Sequence, residues 1–475
     1  MGGDNVTYDV IIVGAGWSGL LACKYCLSEG LTTLVLESRN GIGGVWNYTD
    51  DQSFGGVMTT TNTTSSRCIT EISDYPMPDD FPDFPSHEQI NNYLESYNKK
   101  FSLGDHIRLN TCVKKLSKSN AVWEALTDSG TLYKAKNLIV CAGVHQYPNN
   151  ISDDERFAGF SGKIAHSATV KEITNKYSGK NIIVFGGGES ASDIAYQACI
   201  VNARVYFCIP NGQWFVPKIV ERWQPFPSSQ PKIVDHTSSR LRNFLSPTHK
   251  YSPFISQYLE YTFGFNGHGQ EAWRTAAPYN RSFFNKSAEV LSHIKDGSII
   301  PKRDISFCEN ASVHFSDGTS ADASCIITCS GYRISFPFFG ESNSPGTDPR
   351  IWFKYIFDND DPTLSFVGMV RPIFGSIPGI AELQSRYIAK VYSGKRKLPE
   401  KLVRSQIIKQ DSAFWNRHFH NTSLRIAGLV DHFIYSNQIA KLIGCYPNFV
   451  ALFFSSPKKM VERNYRPVEQ LPVLA

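Results

Sequence analysis

The sequence predicts an α/β protein made of two parallel-sheet units, the first discontinuous and the second inserted into it. Three observations carry the prediction. Two apolar strand–glycine loop–helix runs stand about 170 residues apart, and each is followed by a further strand. A late apolar run, Cys325 to Tyr332, ends in a glycine turn like the one at Val140 to Gly143. The chain is therefore expected to leave the first unit and come back to it.

The first strand is Tyr8 to Val13, YDVIIV, an apolar run of the kind buried on both faces of a parallel sheet. It leads into Gly14-Ala15-Gly16-Trp17-Ser18-Gly19, a G-x-G-x-x-G. Leu20, Cys23 and Leu27 then recur at helical spacing to about Gly30, and a second strand, Thr32 to Leu36, closes with Glu37. Each part has a physical role. Gly14 permits the tight turn, Gly16 lets the backbone approach a pyrophosphate, and Gly19 lets helix and strand pack closely. The helix start at Trp17 and Ser18 offers amide donors and a partial positive charge to phosphates. Glu37, 18 residues after Gly19, is placed to accept hydrogen bonds from a ribose. The run Arg39-Asn40-Gly41-Ile42-Gly43-Gly44-Val45-Trp46 extends this site, as a backbone passing beneath a flavin ring system would.

The second strand–loop–helix run begins with Asn181 to Phe185 and repeats the loop as Gly186-Gly187-Gly188-Glu189-Ser190-Ala191, a G-x-G-x-x-A. A helix is expected from about Ser190 past Ala198, then a strand from Arg204 to Ile209. Two phosphate cradles imply two dinucleotides, and a protein that binds two passes electrons between them. FAD and a nicotinamide cofactor are the economical pair, with NADPH favoured over NADH. The strand end, Pro210-Asn211-Gly212-Gln213-Trp214, carries neither acid nor base, so Lys218, Arg222 and Arg204 are the candidates for a 2′-phosphate.

Composition narrows the class. The 475 residues include 48 Lys+Arg against 43 Asp+Glu, a net charge of only +5 without basic runs, which excludes a dedicated nucleic-acid binder. Aromatics at 13% and the absence of low-complexity tracts exclude a disordered chain. The eleven cysteines are scattered, without metal-finger spacing, so no metal site is expected and a reducing, cytoplasmic setting fits best. Cys23 and Cys26 form a C-x-x-C inside the first helix, where they read as small core residues. No apolar stretch approaches the roughly 18 to 20 residues that span a bilayer, and the polar N-terminus does not read as a signal peptide. Peripheral membrane association and a homodimer both stay compatible with this composition.

Several further segments, taken in order, are similar to motifs of one family. Phe160-Ser161-Gly162-Lys163-Ile164-Ala165-His166 resembles F-x-G-x-x-x-H-x-x-x-[YF], with Val170 in place of the final aromatic. Thr60-Thr61-Asn62-Thr63 resembles a T-N-T segment, and Ser73 to Pro78 an S-D-F-P-x-P. Thr328 to Tyr332 resembles A-T-G-Y, Glu382 to Tyr387 resembles E-L-Q-A-R-W, and Asp431, Tyr435 and Pro447 to Lys458 resemble the C-terminal part. Over residues 8 to 460 the chain resembles the class B flavin-dependent monooxygenases, specifically the flavin-containing (dimethylaniline monooxygenase-like) enzymes. Nothing after residue 460 resembles the hydrophobic C-terminal anchor of the mammalian members, so no such anchor is expected.

The resemblance implies two Rossmann-like dinucleotide-binding domains. Residues 1–165 form the first part of the FAD domain, 166–325 an inserted NADPH domain with a helical or irregular insertion at about 222–292, and 326–475 the rest. It implies oxygenation of a small-molecule nucleophile, nitrogen or sulfur, or of a small aromatic such as an indole, by O2 through a C4a-hydroperoxyflavin. It also implies cofactor contacts from Thr61 and Gln384, a role for Asn62 at the flavin and oxygen site, and a domain-coupling role for His166. Baeyer–Villiger oxygenation of a ketone is the near alternative. A flavin disulfide reductase or a non-catalytic flavoprotein are the distant ones.

Overall fold

The computed structural model describes residues 6–220, 232–233, 257, 260, 264–279, 284–340, 344–373, 375–419, 427–448, 450–451 and 454. The first unit is laid down by β1 (Thr7–Val13), α1 (Trp17–Ser28), β2 (Thr33–Leu36), α2 (His87–Lys100), β3 (Ile107–Arg108), β4 (Val113–Ser119), β5 (Val122–Thr127) and β6 (Leu132–Val140). Its sheet has the order β3-β2-β1-β6-β5-β4. The first four of these run parallel, whereas β5 and β4 continue from β6 as an antiparallel meander. Val10, Ile11 and Ile12 are fully buried, which is why β1 is apolar without alternation.

The second unit contains β7 (Lys163–His166), β8 (Asn181–Phe185), α3 (Glu189–Ile200), β9 (Arg204–Cys208), β10 (Ile299–Lys302) and β11 (Cys325–Thr328). Its five strands are all parallel, in the order β10-β9-β8-β11-β7. The chain then returns to the first unit: β12 (Leu364–Phe366) pairs parallel with β6. It is followed by α4 (Ile377–Tyr392) and α5 (His432–Ile443). Residues of α4 such as Ile380, Leu383 and Ile388 share a core with Leu20, Leu21, Cys23 and Cys26 of α1.

Two expected domain boundaries move. The sequence places the apolar strand ending in Thr328 in the returning first unit, yet β11 lies between β8 and β7 of the second sheet. The entry strand β7 likewise starts at Lys163 and not after 165. An apolar run reads the same in either sheet, so sequence alone cannot assign it. The insertion expected at 222–292 lies largely outside the described residues. Its described parts are mostly irregular, with short 3-10 turns and a two-residue strand, Lys232–Ile233, and they bury Trp273 in the second core and Tyr279 and Phe284 in the first. Among the described residues no helix is long and apolar enough to cross a membrane.

Candidate functional site

One cleft of about 1640 Å³ opens at the carboxyl ends of β1 and β8, where ligands bind parallel α/β sheets. From the first unit it is lined by the predicted Gly14, Gly16, Trp17, Ser18, Glu37, Arg39, Gly44, Val45, Trp46, Thr61 and Asn62. From the second it is lined by Gly186, Gly188, Glu189 and Ser190.

The first loop is built for an anion. Gly14 has φ +100°, and a Cβ there would lie 2.7 Å from the Cys141 carbonyl oxygen. A Cβ on Gly19 would stand 1.9 Å from the Gly14 oxygen, so this glycine serves helix–loop packing and does not itself face the cleft. α1 starts at Gly16 without a side-chain cap, which leaves its first-turn amides for a ligand. Glu37 is buried and accepts from the Ala15 amide at 2.6 Å and the Arg39 amide at 2.9 Å. A carboxylate takes about four hydrogen bonds, so capacity for a ribose remains. The Arg39 guanidinium donates to the Gly44 and Asn47 carbonyls and strapping this loop is its visible task. Trp17 is a further sign of a missing acceptor. Its indole N–H is buried without a partner, a loss of about 1–3 kcal/mol that a bound ligand acceptor can restore. A dinucleotide fits these residues.

The second loop is held from behind. Gly186 has φ +126°, with the Cys329 carbonyl oxygen 2.4 Å from where a Cβ would sit. Asn285, fully buried, donates from Nδ2 to the Gly187 oxygen (3.1 Å), the Gly188 oxygen (3.2 Å) and Ser192 Oγ (2.7 Å). Gln213 Nε2 donates to the Gly187 oxygen at 2.7 Å. Glu189 accepts from the Lys286 and Ser287 amides at 2.8 and 3.0 Å. The loop carbonyls are thus engaged on the protein side, and α3, also without a side-chain cap at Gly188, keeps its first amides free. Asp193, on the cleft wall, has its carboxyl pushed up to about 7 by burial and then by Glu189, which lessens negative charge beside the cradle. Asn285, Gln213 and Asp193 carry no local motif, and the sequence did not single them out.

Asn62 sits on a segment shared by both units. Thr61 Oγ1 accepts from the Met58 amide at 3.0 Å, the Thr61 carbonyl accepts from the His87 amide at 3.0 Å, and Asn62 forms a bridge with Ser86. The Asn62 side chain is exposed to the cleft and makes no hydrogen bond among the described residues. Nearby, His166 Nδ1 accepts from the Ala168 amide at 3.0 Å, which leaves Nε2 to donate to the Gly331 carbonyl at 3.1 Å. The ring is neutral in that arrangement, its pKa lowered by burial, and it ties one crossing of the chain to the other.

Four expected placements differ. Lys218 does not line the cleft; it pairs with Glu289 at 3.5 Å and lies over the Phe84 ring. Arg204 is at the amino end of β9, the end away from the cradle, because parallel strands present their carboxyl ends to the cleft. Arg222 lies outside the described residues. Gln384 stands one layer back, accepting from the Gly368 amide at 3.0 Å and donating to Tyr435 Oη at 2.8 Å. Gly368 lines the cleft, so Gln384 acts on its shape through that backbone. Ala191 is buried beneath the second loop, not on the wall. Cys23 and Cys26 are fully buried within α1, away from the cleft, and burial pushes the Cys23 thiol up to about 12.

A profile of the family described as "FMO-like: Flavin-binding monooxygenase-like" matches residues 7–472. The chain belongs to that family. It is a flavin-containing monooxygenase, an oxidoreductase with FAD and NADPH as cofactors. Among its relatives are the flavin-containing monooxygenase 2 of Homo sapiens and the dimethylaniline monooxygenase [N-oxide-forming] 2 of Pan troglodytes. Each is 30% identical over 96% of this chain and 86% of its own length. In fold the chain is similar to S-allyl-L-cysteine S-oxygenase from Allium sativum, at TM-score 0.66, 20% identity, and coverage of 96% and 93% of the two chains. It is equally similar to NADP+-bound cyclohexanone monooxygenase from Rhodococcus sp. Phi1, at TM-score 0.66, 16% identity, and coverage of 95% and 98%. The Rossmann-type pairing of two sheets is common to this family and to the chain.

Proposed function

We propose that this flavin-containing monooxygenase places one oxygen atom from O2 on a soft nucleophile, an amine nitrogen or a sulfide sulfur, with small aromatics such as indoles as further substrates. The carrying observation is that both glycine cradles open into one cleft on whose wall the Asn62 amide is uncommitted. The N-oxide-forming and S-oxygenating relatives support the nucleophile class.

The chain's own part is positional. The amides that follow Gly16 hold the diphosphate of FAD and Glu37 holds its ribose, while the amides that follow Gly188 hold the diphosphate of NADPH. Bound there, the flavin supplies oxygen activation and the nicotinamide supplies the hydride. Asn62 can donate from Nδ2 and accept at Oδ1, which suits holding a nicotinamide amide and an oxygen-derived group together. Trp46 and Phe54 give the cleft apolar wall near Arg39, which helps to exclude water. Among the described residues no group of three or more His, Cys, Asp or Glu side chains is arranged to hold a metal ion.

Purified FAD-loaded protein given NADPH, labelled O2 and a panel of a tertiary amine, a thioether, an indole and a cyclic ketone tests the proposal. Label in an N-oxide or sulfoxide is the expected result. An ester from the ketone, with amine and thioether untouched, would overturn it in favour of Baeyer–Villiger chemistry. NADPH oxidation without label in any product would overturn the oxygenase reading of this cleft.

A further inference from the structure

Met58 belongs by sequence to the first unit, yet its side chain is buried in the second unit's core with Ile173, Ile182 and Ala198. Beside it, Gln197 of α3 is nearly fully buried. Its Oε1 accepts from the Ile173 amide at 3.1 Å. Its Nε2 donates to Thr60 Oγ1 at 2.5 Å and contacts Met58 Sδ at 3.7 Å. Both ends of this amide are therefore committed, one to its own unit and the other across the junction. A buried amide with both partners in place fixes the groups it joins, since leaving either end unpaired carries a desolvation cost.

The segment joined in this way is the one that carries Asn62. From Thr60 the chain passes to Thr61, whose backbone oxygen accepts from the His87 amide, and then to the Asn62–Ser86 bridge. Asn62 thus stands between an anchor to the first unit at 86–87 and an anchor to the second at Gln197. Gln197 lies on the helix whose first turn forms the second cradle, eight residues after Glu189, or about 12 Å along the axis. A single rigid helix spans the distance from that cradle to Thr60.

We propose that Gln197 is a positioning residue: through Thr60 and Met58 it sets Asn62 relative to the second dinucleotide unit, so that oxygen transfer outcompetes release of hydrogen peroxide. The inference rests on the role given to Asn62 under the proposed function. It adds a residue that touches neither dinucleotide cradle and acts only through the Met58–Thr61 turn.

The test uses Thr60, which is exposed, so that variants there fold. Thr60→Val keeps the shape and removes the hydroxyl, Thr60→Ser keeps the hydroxyl, and Gln197→Leu removes the amide. Loss of one neutral hydrogen bond is expected to raise the hydrogen peroxide released per NADPH oxidised about two- to tenfold in Thr60→Val and Gln197→Leu. Thr60→Ser should match the parent, and adding Asn62→Ala to Thr60→Val should raise the leak no further than Asn62→Ala alone. In flavin-free protein, backbone amides of residues 57–63 should exchange faster in Thr60→Val, while its NADP+ affinity stays that of the parent. If Asn62→Ala leaks peroxide and the Thr60→Val and Gln197→Leu variants do not, the positioning role is overturned and the role of Asn62 stands. If Asn62→Ala stays fully coupled, the role of Asn62 is overturned and Gln197 loses its function with it. Additive leaks in the double variant, or unchanged exchange at 57–63, also overturn the proposal.

Discussion

Gly188→Val separates the needs of the fold from the needs of the ligand. Gly188 has φ −83° and ψ 180°, extended backbone that a β-branched residue adopts readily. A Cβ built there meets no atom within 4 Å, so the valine side chain would enter the open face of the second cradle. Folding should therefore be nearly unaffected, with the melting temperature close to the parent's. Binding is another matter, because the added carbons take volume that the diphosphate needs. Overpacking of that kind costs about 1–3 kcal/mol, which weakens NADP+ binding about fivefold to 150-fold. Titration with NADP+, followed by calorimetry, reads the loss, and flavin absorbance on the same sample reads FAD content. Affinity within twofold of the parent would refute the placement of NADPH at this loop. Loss of FAD together with NADP+ would refute the division into two cradles. Gly186→Ala is the structural contrast: at φ +126° and 2.4 Å from the Cys329 oxygen it should damage the fold itself.

Other outcomes follow from the same geometry. Gly16→Val starts from a Cβ position 3.4 Å from Gly44 Cα, so its branches force the two loops apart; the purified protein should carry little FAD by absorbance. Asn285→Ala leaves the Gly188 carbonyl and Ser192 Oγ without this donor, while Gln213 still serves the Gly187 carbonyl. It should cost about 1–3 kcal/mol in denaturant unfolding and raise the KM for NADPH, with FAD retained. His145 is held down to about 3 by burial and then by Arg371, so the folded state prefers its neutral ring. Stability is unaffected above the unfolded value of about 6.5 and falls as pH drops from there toward about 3, by at most about 1.4 kcal/mol per pH unit. Urea unfolding across that window should show a shallower pH dependence in His145→Gln.

The glycine loops were legible because each glycine answers a local demand, a positive φ or a close approach, within a few residues of the strand it follows. Glu37 was legible for a related reason: the crossover from β1 to β2 has a nearly fixed length, which brings its carboxylate back to the Ala15 amide. Asn285, Gln213 and Gln197 were not, since a side-chain amide whose partner lies 26 to 137 residues away leaves no local spacing to read. Lys218 shows the opposite error. Its position just past β9 suggested an anion partner, but Glu289 arrives from a distant turn and takes the charge. Motif resemblance also blurred contact with support. Glu382, in the same helix as Gln384, accepts from Tyr25 Oη and the Ser73 amide in a buried network behind α1, so that segment braces the fold more than it lines the cleft.

The two crossings between the units meet. Tyr147–Pro148 pairs antiparallel with Tyr332–Arg333, the Asn149 amide donates to the Gly331 carbonyl at 2.9 Å, and Ser330 Oγ donates to the Asn149 carbonyl. For the host sheet, everything between those points amounts to a hairpin tip, since its two ends emerge at hydrogen-bonding distance. Loop-closure entropy for the host is then set by that narrow neck once the guest has folded, and not by the length of chain it contains. Such a neck would let a short turn join the host's two ends, but Tyr279 and Phe284 of the guest fill the host core and Met58 of the host fills the guest core, so cutting the guest out would open both.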